Sequence, residues 1–95
     1  MLFEWDERKQ RANAAKHGID FATAALVFAD PHLVFRADRI YGSGEQRWHA
    51  IGLAGGIQPL LVVIHVYREA ESGEEIIRIV SARKASASES RAYFE

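Results

Sequence analysis

The sequence predicts an α+β fold: a short N-terminal strand, a two-helix hairpin packed on an antiparallel sheet of about four strands, and a short C-terminal helix. Three observations predict it. Two segments with helix-capping signals come first, ahead of Pro31. β-rich runs separated by glycine-containing turns fill the middle, and Ser86-Ala87-Ser88-Glu89 near the end has the spacing of a capping box. With 95 residues there is room for one two-layer core, so residues 1–95 are expected to form one domain.

Leu2 to Trp5 alternates with Phe3 and Trp5 on one side, which predicts a brief first strand. Asp6 is placed as an N-cap, and Glu7 to His17 holds good helix formers with an acid in the first turn and cations in the last. Gly18 supplies the stop. Glu7 and Arg11 are spaced for a surface ion pair, and the alanines imply an inward face of small residues. Asp20 caps a second helix, in which Phe21, Ala24, Ala25 and Phe28 recur at helical spacing until Asp30-Pro31 ends it.

Leu33 to Ala37 is a strand, and Asp38 to Gln46, with Gly42-Ser43-Gly44 inside it, a polar loop. Arg47 to Leu53 alternates, with Arg47 and His49 on one face and Trp48 and Ala50 on the other. Leu60 to Tyr67 is a continuous apolar run, the mark of a strand buried on both faces, and belongs at the centre of the sheet. After a turn at Glu69 to Gly73, Glu74 to Val80 alternates again. Ile77 and Ile79 then share one face, and Ile76, Arg78 and Val80 the other. Consecutive strands with short turns make an antiparallel meander. Ser90 to Phe94 forms the last helix, held down if Tyr93 and Phe94 dock.

Totals narrow the function. No cysteine is present, which excludes disulfides and cysteine-ligated zinc and favours an intracellular location. The first residues hold no basic stretch and no long apolar run, so neither a signal peptide nor a membrane helix is expected. A formal charge of -1 rules out a long-range field for a polyanion and leaves only a local patch. Nine of the 12 cations are arginine, whose planar fork suits phosphate or carboxylate. Arg78, Arg83 and Lys84 gather where the last strand runs into a helix start, a way to hold an oxyanion or a solvated rim. The four histidines lack the i, i+4 spacing of a helical metal pair and have no acid cluster beside them, so neither metal nor cofactor is expected.

Three blocks of the sequence resemble one family. Trp5-Asp6-Glu7 with Lys9, Asn13, Lys16-His17-Gly18, Phe21 and Ala24 resembles the opening motif of the BrnT toxins. Gly44-Glu45-Gln46-Arg47 leading to Ile51-Gly52 is similar to their middle motif, and Arg78 to Ala85 to their closing one. The resemblance covers nearly the whole chain. It implies a cytoplasmic type II toxin with a RelE-like fold that cleaves RNA. It further implies a cognate BrnA-like antitoxin that silences the toxin, a hetero-oligomer of the two, and contact with promoter DNA only through the antitoxin.

Cleavage of RNA by its own 2′-hydroxyl needs a base, cations for the charge on the phosphorane, and an acid for the leaving oxygen. Arg47, Arg78 and Arg83 are the candidates for the cationic role, with a surface ion pair to Glu75 or Glu45 the alternative for Arg78. Glu45 acts as base or orients Arg47, and His49 on the polar face of its strand is a proton-transfer candidate. Lys84 steers RNA. His65, inside the most apolar run, reads as a hydrogen-bonded core histidine. A non-catalytic module that binds a protein segment through the same cationic face is the rival reading, either as an adaptor or as a degenerate toxin.

Overall fold

The computed structural model describes residues 1–95. Strand β1 (Leu2–Glu4) leads into helix α1 (Glu7–His17) and helix α2 (Phe21–Ala25), which tightens into a 3-10 turn over Leu26–Ala29. Strands β2 (Val34–Ile40), β3 (Gln46–Ala54), β4 (Ile57–Glu69) and β5 (Glu75–Lys84) follow, and helix α3 (Ala87–Phe94) ends the chain. No helix is long and apolar enough to cross a membrane.

The caps are where the sequence places them. The Asp6 carboxylate accepts from the amides of Arg8 and Lys9, and that of Asp20 from Thr23. Gly18 takes the left-handed conformation at φ 72° and donates to the carbonyl of Ala14. The capping box of α3 is complete, with Ser86 and Glu89 each bonding the other's backbone. α2 is shorter than the spacing predicts, because Asp30 precedes a proline and must be extended, so the last turn tightens instead of continuing. The expected Glu7 to Arg11 pair does not form: the Glu7 carboxylate accepts instead from the Trp5 indole at 3.0 Å and from Gln10 at 2.8 Å.

All five strands form one sheet in the order β1-β5-β4-β3-β2. β2 to β5 make the antiparallel meander, with β4 central. The expectation of an antiparallel sheet of about four strands is corrected by β1, which pairs in parallel with β5 through Leu2 to Glu4 and makes the sheet mixed. A strand of three residues carries no sign of its partner in its sequence. α1 and α2 are not a packed hairpin either; each lies against β5. On that face Phe21, Ala24 and Val27 pack on Ala50, Leu61, Val63, Ile77, Ile79 and Ala82. α3 covers the other face, where Tyr93 meets Ile51, Leu60 and Val62, while Phe94 stays exposed. The Tyr93 hydroxyl also donates to Asp30 at 2.7 Å.

α1 buries an asparagine rather than an alanine face. Asn13 is its buried residue, and Ala12 and Ala15 are exposed. β1 covers the outer edge of β5 only as far as Arg78. Beyond that, the Asn13 side-chain amide takes the place of a strand, accepting from the Ala82 amide at 3.1 Å and donating to its carbonyl at 2.9 Å. Between the two covers the register with β4 slips: Ile64 faces Ser81, but the next residue, His65, faces Ile79. Val80 is the extra residue of a β-bulge.

Candidate functional site

The bulge decides which arginines share a face. Five residues separate Arg78 from Arg83, so uninterrupted alternation would send them to opposite sides. With Val80 unpaired, Arg78 lies opposite Val66 and Arg83 opposite Val62. Val62 and Val66 are an even step apart on an unbroken strand, so both guanidiniums emerge on the face that carries α3. They stand about 13 Å apart along the sheet. Lys84, opposite Leu61, is turned to the α1 and α2 face and does not join them.

No arginine of that face is bare. Arg78 meets neither Glu75 nor Glu45: its Nη1 donates to Glu4 at 3.1 Å. Glu4 also receives two bonds from Arg68, at 2.8 and 2.6 Å. Those Arg68 bonds, helped by Arg78, hold the Glu4 carboxyl down at about 2. Two guanidiniums thus share one carboxylate, so these three side chains together carry one net positive charge.

A continuous run of polar contacts crosses the face beside this group. Arg47 donates through Nε to Glu45 at 2.9 Å, and its guanidinium lies 4.0 Å from the centre of the Tyr41 ring. Its hydrogen bond to Glu45 raises the pKa of Arg47. The Tyr41 hydroxyl donates to Asp38 at 3.4 Å, and His49 Nε2 is 3.4 Å from the same carboxylate oxygen. The other ring nitrogen of His49 is 3.9 Å from Glu89. Glu89 in turn grips Arg83 by two parallel bonds at 2.7 and 2.8 Å, which hold its carboxyl down at about 2. His49 therefore has a carboxylate at each ring nitrogen, and Arg83 is anchored to the last helix.

Next to the run lies a cleft of about 580 Å³ lined by Gly44, Glu45, Gln46, Trp48, Val66, Tyr67, Arg68 and Arg78. It opens because the β3 ladder with β4 begins only at Trp48 and His65, whereas β4 continues beside β5 as far as Glu69. Glu45 and Arg78 are thus brought to one cleft with Arg47 behind Glu45, His49 stands further along the face, and Arg83 closes its far end. Glu4, Arg68, Asp38, Tyr41 and Glu89 belong to the same arrangement without having been singled out by sequence. Only Glu89 carried a signal, as the third position of the capping box. His65 is the expected core histidine: fully buried, its Nδ1 is 3.1 Å from the Val63 carbonyl. Nowhere do three or more histidines and acids stand together as a metal site.

Positioned cations, a carboxylate and an imidazole on one rigid sheet can bind a phosphate group and carry out acid–base chemistry beside it. A family profile described as the ribonuclease toxin BrnT of type II toxin-antitoxin systems matches residues 5–89. The chain belongs to the BrnT family. Membership supplies the substrate class, RNA, and the kind of partner, an antitoxin. The matched segment runs from Trp5 to Glu89 and holds every residue of the cleft and of the polar run. No curated protein matches the chain.

Proposed function

We propose that the chain is an endoribonuclease toxin that works without a metal, with its cutting site at the β3–β4 cleft and the polar run beside it. The observation that carries this reading is that Arg68 and Arg78, crowded on the single carboxylate of Glu4, line the cleft that Glu45 also lines. A phosphate entering there meets donors whose charge is only half neutralised. The 2′-hydroxyl of RNA attacks the adjacent phosphorus and gives its proton to Glu45. Arg78 and Arg47 stabilise the charge that builds on the phosphorane, and the 5′-oxygen leaves with a proton from His49. The products are a 2′,3′-cyclic phosphate and a 5′-hydroxyl end. Arg83 holds a further phosphate of the strand by exchanging Glu89 for it, and Lys84 adds only its field from the opposite face.

We further propose a wider assembly around this site. Helices laid over a largely antiparallel sheet support a RelE-like fold in which residues 1–95 act as one domain in the cytoplasm. A BrnA-like antitoxin covers the cationic face in a hetero-oligomer and brings the complex to promoter DNA. A second reading, a module that binds an acidic protein segment without cutting RNA, is favoured by one observation: carboxylates already occupy Arg47, Arg68, Arg78 and Arg83.

The test is to purify the chain free of antitoxin and incubate it with RNA in EDTA. Cleavage should persist and leave cyclic phosphate ends. Loss of cleavage on adding EDTA defeats the metal-free mechanism, and antitoxin binding without cleavage under any condition leaves the binding module.

A further inference from the structure

The cleft contains more than the cutting chemistry uses. Trp48 and Tyr67 stand on its wall with ring centres 6.3 Å apart and planes inclined at 66°, and Tyr67 is 38% exposed. Tyr67 is braced from beneath by the buried His65 ring, edge to face at 5.0 Å. Arg68 and Arg78, both held on Glu4, line the same cleft. Trp48 and Tyr67 belong to the His65 side of the sheet and Arg68 and Arg78 to the other. The open edge between β3 and β4 thus joins a half-exposed, braced aromatic surface to paired guanidiniums, the combination that takes an unpaired base on a ring and its phosphate on the cations. Acidic groups bias the path of the strand: Glu75 lies close enough to raise the pKa of the Tyr67 hydroxyl, which is moved chiefly by burial, so a phosphate is repelled from that side and drawn to Arg68 and Arg78.

We propose that the β3–β4 cleft is a nucleobase subsite, in which one unpaired base of the RNA stacks on Tyr67 with the Trp48 ring against its edge while its phosphate lies on Arg68 and Arg78. The inference rests on the ribonuclease reading for its ligand, and it adds a site for choosing the base beside the cut. A peptide strand is the less fitting occupant. The flank of β4 left without a partner runs only from Val66 to Glu69, too short for a lasting ladder, and the wall offers ring faces rather than aliphatic pockets.

The chain has two tryptophans, so Trp5→Phe leaves Trp48 as the sole indole reporter. This variant is titrated in EDTA with a short single-stranded RNA methylated at every 2′-hydroxyl, which binds but cannot be cut. The expected result is saturable quenching of Trp48, at least tenfold weaker binding of an abasic strand of equal charge, and about tenfold loss of affinity in Tyr67→Ala with recovery in Tyr67→Phe. Should Trp5→Phe fail to fold, the wild-type chain is irradiated with 5-iodouridine RNA, and cross-links are expected at Trp48 or Tyr67. Equal affinity for abasic and normal strands, or cross-links confined to other residues, overturns the subsite. So does a Tyr67→Ala variant that binds RNA normally but loses its antitoxin, which assigns the cleft to a peptide. Quenching by uncut RNA with no cleavage of ordinary RNA sinks the nuclease reading alone; cleavage with no Trp48 quenching or cross-link sinks the subsite alone.

Discussion

Arg83 and Glu89 face each other as a fork on a fork, Nη1 to Oε1 at 2.7 Å and Nη2 to Oε2 at 2.8 Å, and this pair ties the end of β5 to α3. Glu89 also completes the capping box, accepting from the Ser86 amide at 2.8 Å. One carboxylate thus starts the helix and fastens it to the sheet. Its side chain is 9% exposed against 32% for Arg83, so the bonds are largely shielded from water.

Glu89→Gln is therefore expected to cost about 1.5 to 3 kcal/mol, the usual worth of hydrogen bonds to a charged group, read as a shift in the urea midpoint at unchanged slope. Arg83→Lys keeps the charge but loses the fork, and should fall between wild type and Arg83→Ala. pH supplies a second readout. Glu89, through its bonds to Arg83, and Glu4, through those to Arg68, are both held at about 2 in the folded chain against an ordinary 4.5. Both folded values are depressed, so the stability these acids add is complete above pH 4.5 and is lost as pH falls towards 2. Replacing both by glutamine should flatten that acid limb. An unchanged limb would show that other acids set it.

Arg78 differs from Arg83 in what its loss does to the fold. It is 40% exposed, gives Glu4 one bond, and leaves Arg68 to hold that carboxylate by two. Arg78→Ala should change stability by about 0 to 1 kcal/mol, as for an exposed ion pair. RNA cleavage should fall by about a hundredfold or more, as when one donor to a transition-state oxyanion is removed. A cleavage assay beside a thermal melt separates the two, and wild-type cleavage by a folded Arg78→Ala chain removes this residue from the site.

His65 sets a different pH dependence. Its Nε2 is buried with no partner, its Nδ1 is against the Val63 carbonyl, and the rings of Phe28, Phe35 and Tyr67 surround it. Burial lowers its pKa, with His49 adding to the effect and the Val63 bond opposing it. Protonation thus favours the unfolded chain. Stability is full above the unfolded value of about 6.5 and declines as pH drops from there towards the lowered folded value. His65→Phe should flatten the fall in melting temperature that wild type shows as pH drops below about 6.5. An equal decline in both would remove His65 as the cause.

The elements that could be read from sequence are those whose signals are local. Asp6, Gly18, Asp20 and Ser86-Glu89 cap helices by contacts within a few residues, and the run from Leu60 to Tyr67 marks the centre of the sheet by burial alone. What escaped was fixed at long range. Glu4 reaches Arg68 and Arg78 only because a three-residue strand pairs in parallel with β5. Strict alternation separates Arg78 from Arg83, and no residue type announces the bulge at Val80 that reunites them. Asp38 and Tyr41 join His49 and Arg47 because β2 extends to Ile40, into the stretch read as loop.

Asn13 is the residue on which that bulge rests. Its amide fills the open edge of β5, bonding the Ala82 amide and carbonyl at 3.1 and 2.9 Å, the Ser81 hydroxyl at 3.0 Å and the Ile19 carbonyl at 3.0 Å. In Asn13→Ala the buried amide of Ala82 loses this partner and water cannot readily replace it, so a cost of about 2 to 4 kcal/mol is expected in urea unfolding. The effect should be local before it is global: exchange of the Ala82 amide hydrogen should speed up more than that of Val63 on the central strand. Cleavage should fall as well, although Asn13 lies on the side of the sheet that carries α1, because loss of the bulge restores strict alternation and turns Arg83 to the opposite side of the sheet from Arg78. Normal cleavage by a destabilised but folded Asn13→Ala chain would show that the shared face of Arg78 and Arg83 does not depend on this amide.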